Sequence, residues 1–213
     1  MARVRVRQHV NPLSKKYQVP INIPDWQEIY SNPQQPLHLD LGCARGKFVL
    51  EMAQLQPEMN FLGLEIRQPL VTAANQRCQE LGLTNLHYLF CNVNSSLASV
   101  LASLPQEILQ QVTIQFPDPW FKNKHGKRRI VQPGLVETLA DYLLVGGKVM
   151  LQSDVEFVAL EMQKVFQNNP RFQQKHTEKW LAYNPLPVAT ERELFTISSG
   201  EPVYRALFSK IGS

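Results

Sequence analysis

Leu37-His38-Leu39-Asp40-Leu41-Gly42-Cys43-Ala44-Arg45-Gly46 is the stretch on which the reading of the fold turns. Apolar and polar residues alternate from 37 to 41, the period of a strand with one face in a core, and glycine then breaks the run. Residues 48–55 follow with apolar side chains at helical spacing, so the unit is strand, glycine turn, helix. In that context glycines let the backbone approach a ligand closely. The dinucleotide fingerprint G-x-G-x-x-G fails in this register, because Ala44 and Lys47 stand where it needs glycine, which disfavours a nicotinamide or flavin enzyme. What remains is an acid, one residue, then two glycines four apart.

The same alternation continues outward. Strands are expected at residues 61–65, 86–91, 112–116, 148–152 and 203–208, and helices at 69–81, 97–104, 135–144, 155–166 and 191–196. Strands alternating with helices argue for an α/β fold with an open, mainly parallel sheet. Ligands of such sheets sit beyond the carboxyl ends of the strands, where strand order reverses. Those ends are Asp40, Glu65, Asn92, the turn at 117–120 and Asp154. Glu65 falls where a carboxylate accepts from both hydroxyls of a ribose; a helix-capping or solvent-facing acid is the competing reading. Asn92 suits an adenine amine through its carbonyl, and equally a turn in Asn92-Val93-Asn94.

The 213 residues, 44% apolar, fit one domain with extensions. Residues 1–35 read as a basic arm and irregular lead-in, and residues 36–213 as the domain. No apolar run approaches the ~18 residues of a membrane span or the core of a signal peptide. Three cysteines without C-x-x-C spacing suggest neither a disulfide framework nor a metal site, so a cytoplasmic chain without a metal is expected. Either a monomer or a homodimer is compatible with the sequence. The net charge of +4 hides two blocks without acids: Arg3, Arg5, Arg7, Lys15 and Lys16, then Lys122, Lys124, Lys127, Arg128 and Arg129. An otherwise acidic body with two basic blocks suits a polyanionic partner, unless the blocks are only solvated loops.

The second block directly follows Phe116-Pro117-Asp118-Pro119-Trp120-Phe121. The two prolines hold Asp118 outside regular structure, so its carboxylate faces the strand ends. Trp120 and Phe121 offer flat faces to an unstacked base, although Phe121 reads better as core packing. Lys124, Lys127, Arg128 and Arg129 are candidate grips on phosphate, and His125 suits either RNA contact or loop stabilisation.

Taken together, Asp118-Pro119-Trp120, Lys122, His125, Lys127-Arg128-Arg129, Asp154 and Thr190-x-x-Glu193, in this order, resemble the bacterial tRNA (guanine-N7-)-methyltransferase family over about residues 37–210. The glycine loop resembles that of class I methyltransferases, which often carry glycine where Ala44 stands, and the family commonly has Asp at the position of Asn92. The resemblance implies a Rossmann-like seven-stranded sheet, mostly parallel with its last strand antiparallel and helices on both faces. It implies transfer of a methyl group from S-adenosylmethionine to N7 of guanine 46 in the tRNA variable loop. Asp40, Gly42, Gly46, Glu65, Asn92 and Asp118 would then hold the cofactor, with Asp118 also catalytic. Lys122, Asp154, Thr190, Glu191, Arg192 and Glu193 would bind the substrate. Read without the family, Asp154 is a natural N-cap for the next helix, and Thr190 with Glu193 form a capping box. Two rival readings are an amino-methylating nucleic-acid enzyme, whose D-P-P-[YW] turn needs a second proline that is absent here, and a non-catalytic RNA-binding module.

Overall fold

Strand β1 (Leu37–Leu41) is buried along its whole length, as is its neighbour β2 (Asn60–Glu65). That is the mark of central parallel strands covered on both faces. The computed structural model describes residues 10–212, so the expected arm residues Arg3, Arg5 and Arg7 lie outside the described residues. Helix α1 (Trp26–Ile29) precedes β1, α2 (Lys47–Leu55) joins β1 to β2, and α3 (Gln68–Glu80) joins β2 to β3 (Leu86–Phe90). Helix α4 (Val93–Ser103) leads to β4 (Leu109–Gln115), α5 (Pro133–Tyr142) to β5 (Lys148–Ser153), and α6 (Glu156–Gln167) to β6 (Phe172–Gln174). Helix α7 (Glu191–Ser198) and β7 (Tyr204–Lys210) complete the order.

The seven strands lie side by side as β3-β2-β1-β4-β5-β7-β6. The first five pair in parallel, whereas β7 runs antiparallel to both β5 and β6. This agrees with the expected fold class. Strand order reverses between β1 and β4, so a crevice opens above their carboxyl ends.

Alternation along β1 serves two cores. Leu37, Leu39 and Leu41 join a cluster with Leu97 and Val100 of α4, Leu139 of α5 and Val158 of α6. On the other side, Phe48 and Met52 of α2 pack with Phe61, Tyr88 and Val71, and His38 lies against the rings of Phe48 and Phe61. The lead-in departs from expectation. Trp26 and Tyr30, one helical turn apart, are buried in the larger cluster. The Trp26 indole donates to Ser103 Oγ at 3.0 Å and the Tyr30 hydroxyl to Phe61 O at 3.0 Å. A boundary at residue 36 therefore cuts through the core.

Candidate active site

A cleft of about 1360 Å³ opens at the β1/β4 reversal. Asp40, Gly42, Gly46, Glu65, Asn92, Asp118, Asp154, Thr190, Glu191 and Arg192 all line it, drawn from five strand ends and the start of α7. Two glycines shape its floor. Gly42 and Gly46 have φ of 82° and 73°, and a Cβ on Gly46 would sit 2.3 Å from the Tyr88 ring, whose hydroxyl donates to Gly46 O. Between them Ala44 also has positive φ, 52°, a conformation costing an L-residue roughly 1–2 kcal/mol. Its amide is tied to Glu65 Oε2 at 2.9 Å.

Asp40 is buried, and Thr113 Oγ1 donates to its Oδ1 at 2.6 Å. Burial pushes its carboxyl up to about 6; the bonds from Thr113 and Gln115 oppose that shift and the nearby Glu65 charge adds to it. With the Thr113 proton committed to an ionised Asp40, the hydroxyl accepts from His38 Nε2 at 3.0 Å. This fixes the neutral Nε2–H tautomer of His38, whose own pKa burial lowers to about 3. His38 Nδ1 is left without a partner.

Glu65 is saturated. Ala44 N and the Arg67 Nη2 donate to Oε2, and Arg67 N and Nε to Oε1, all at 2.9 Å. A carboxylate has about four lone-pair sites, so any further donor to Glu65 must displace one of these bonds. Asn92 is the N-cap of α4, yet its side chain makes no cap bond; its Nδ2 instead donates to Pro12 O at 3.0 Å and Tyr17 O at 3.2 Å.

Asp118 sits half-buried in a turn bracketed by two non-glycine residues of positive φ, Phe116 at 49° and Trp120 at 40°. Strain of that kind persists only where surroundings impose it. Here the agent is Arg129, whose Nε donates to Pro119 O, Nη2 to Trp120 O at 2.9 Å and Nη1 to Glu161 at 2.6 Å. Its guanidinium also lies 4.7 Å from the Phe157 ring centre. The expected phosphate contact at Arg129 is thereby corrected: the residue is 13% exposed and is a strut of the Asp118 turn. Lys122, Lys124 and Lys127 are exposed, and Arg128 covers a face of Trp120 at 4.9 Å. Phe121 is 66% exposed rather than packed in the core, because the turn points it outward toward Phe157.

Thr190 N-caps α7, its Oγ1 accepting from Glu193 N at 3.0 Å. The return half of the capping box is absent. Glu193, 1% exposed, turns inward to accept from Arg205 Nη2 at 2.7 Å, Asn184 Nδ2 at 2.8 Å and Gln152 Nε2 at 3.1 Å. Its expected contact with substrate is corrected accordingly, since it does not line the cleft. Asp154 accepts from Arg192 Nε at 2.8 Å, and the N-cap of α6 is Val155 instead. Glu191 reaches Lys47 at 3.3 Å, linking the starts of α7 and α2.

The profile of the family described as "Putative methyltransferase" matches residues 34–206. Two curated relatives are each named "tRNA (guanine-N(7)-)-methyltransferase": one from Trichormus variabilis is 64% identical over 98% of this chain and 97% of its own length. The other, from Nostoc sp., is 65% identical over 97% of this chain and 94% of its own. The chain belongs to the tRNA (guanine-N7-)-methyltransferase family. Among solved structures, the aminoglycoside resistance methyltransferase NpmB1 superposes with a TM-score of 0.55 at 16% identity, covering 87% of this chain and 90% of that one. It shares the fold of this family member.

Sequence reasoning missed several residues that organise this methyltransferase site. Gln152 Nε2 donates to Gln115 Oε1 at 2.7 Å as well as to Glu193, and Gln115 Nε2 reaches Asp40 at 3.5 Å. A polar line thus crosses β1, β4, β5 and β7 beneath the cleft. Glutamine carries no chemical signature in a sequence, and only the strand order puts these residues abreast. Among the described residues no His/Cys/Asp/Glu group is placed to hold a metal, and no helix is long and apolar enough to cross a membrane.

Proposed function

We propose that this protein transfers the methyl group of S-adenosylmethionine to N7 of guanine 46 in the variable loop of tRNA. The observation that carries the reading is the placement of Asp118, in its strained turn, on the same cleft as Asp40, Gly42, Gly46 and Glu65. The donor set fits that cofactor. Two carboxylates suit a ligand bearing a sulfonium and an ammonium group. When bound, the cofactor supplies an electrophilic methyl group.

The chain's own residues do the rest. N7 of guanine has an in-plane lone pair and no proton at neutral pH, so no general base is required. Asp118 accepts from the N–H groups of guanine, orients N7 toward the methyl group and favours the positive charge that moves onto the purine. Asp154, Arg192, Thr190 and Glu191 line the cleft and meet the substrate, and the exposed Lys122 binds it from outside that lining. Since Arg128 covers Trp120, the exposed rings of Phe121 and of Phe195, which is 64% exposed and also lines the cleft, are the faces open to an unstacked base. Lys124 and Lys127 contact phosphates.

Incubation with S-adenosylmethionine and unmodified tRNA, followed by nucleoside mapping, tests the reading. N7-methylguanosine at position 46 is expected. Methylation confined to an exocyclic amine overturns it.

A further inference from the structure

Residues 10–18, read from the sequence as part of a loose arm, form a strap on the cleft. Val10 and Pro12 line the cavity itself. The strap closes on itself, with Gln18 Nε2 donating to Pro12 O at 2.7 Å and Tyr17 N to Ser14 O at 2.9 Å. The Tyr17 ring meets the edge of Phe90, at the end of β3, at 6.5 Å. Its polar attachment to the body is the Asn92 amide, which donates to Pro12 O and Tyr17 O.

Two features mark this attachment as more than a turn asparagine. Asn92 occupies the N-cap of α4 but forgoes the side-chain cap bond, a bond normally worth about 1 kcal/mol. Two carbonyl acceptors also dictate the amide's orientation, since only its NH2 donates twice. None of the hydrogen bonds among the described residues uses Asn92 Oδ1, and the residue lines the cleft. An aspartate here would keep the acceptor and lose both donors, setting a negative charge against two carbonyl oxygens.

We propose that Asn92 is a positioning residue that couples the strap to the cofactor: Nδ2 ties residues 12–18 over the cleft while Oδ1 accepts from the adenine amine. Strap closure and cofactor binding then reinforce each other through one side chain. The cofactor half rests on the proposed function; the strap half does not.

The test uses the full chain, with hydrogen exchange of the Ser14, Tyr17 and Gln18 amides in the ligand-free protein and calorimetry with S-adenosylhomocysteine. Asn92→Asp is expected to speed exchange in the strap by roughly tenfold or more, the worth of two hydrogen bonds, while amides of β1 and β4 stay protected. Asn92→Asp and Tyr17→Ala are each expected to weaken the ligand several-fold, and the double variant no more than the stronger single, because both act by releasing the strap. Asn92→Ala, lacking the acceptor too, is expected to bind more weakly than Asn92→Asp. Should Asn92→Asp fail to fold, Asn92→Leu carries the exchange measurement. Unchanged strap exchange, or affinity losses that add, overturns the proposal. A wild-type chain that does not take S-adenosylhomocysteine sinks the proposed function and the cofactor half with it, whereas the exchange data decide the strap half on their own.

Discussion

Under the proposed function, Asp40 sets stability against cofactor binding in one side chain. Its carboxyl titrates near 6 when folded, against 3.8 for the free group, because it is buried. Between those values the native state binds the extra proton, so stability falls as pH rises through about 4 to 6, and the ionised form costs on the order of 3 kcal/mol above that window. Asp40→Asn is therefore expected to raise the melting temperature of the ligand-free protein at pH 8, to leave it nearly unchanged at pH 4, and to lose cofactor affinity. Calorimetric scans at the two pH values check this. Asp118→Ala is expected to abolish turnover with S-adenosylhomocysteine affinity largely retained; turnover at the wild-type rate would remove Asp118 from the mechanism. Ala44 bears a local cost of another kind, positive φ without being glycine. Ala44→Gly is expected to stabilise by about 1 kcal/mol, read as a rise of roughly 2–4 °C in Tm.

At the scale of elements, α7 is held by what its first turn buries. Glu193 and Arg205 form a pair almost wholly out of water, with Gln152 and Asn184 satisfying the remaining carboxylate sites. Removing one member leaves the other charge unpaired, so Glu193→Ala is expected to cost about 3–5 kcal/mol in urea unfolding. The sequence made the helix start legible through Thr190, and the Glu193 amide does bond Thr190 Oγ1. It did not show where the Glu193 side chain goes, because Arg205, twelve residues on, joins it only through the placement of β7 beside β5. The same limit applies elsewhere. β1 and its glycine turn were readable from alternation, whereas β6, three residues long, is too short to show a period. Helix α4 begins at Val93, earlier than expected, since Asn94, Ser95 and Ser96 look like turn residues until Asn92 O is seen accepting from Ser95 N and Ser96 N. Arg129 was indistinguishable from its basic neighbours by composition; what sets it apart is Glu161 and two carbonyls brought close by folding.

For the whole molecule, the basic block divides into a half-buried strut and a solvated front. Lys124 and Lys127 are exposed. Changing both to Gln is expected to weaken tRNA binding and to reduce the slope of log affinity against log salt by roughly 0.7 to 0.9 for each phosphate no longer neutralised. Titrations at several ionic strengths check it, and an unaltered slope would mean that these lysines are only solvated. Arg129→Gln belongs to a different class, with loss of stability and little change in slope.

The position of β7 bears on how the molecule comes into being. It is the last of the seven strands in sequence, yet it lies between β5 and β6 and brings Arg205 to Glu193. During synthesis from the N-terminus, the glycine loop and the Asp118 turn are made long before the strand that neutralises the buried acid of α7. A nascent chain cut short before residue 205 has the glycine loop but lacks the cation with which Glu193 pairs. The ion pair that anchors α7 is thus completed only with the final strand.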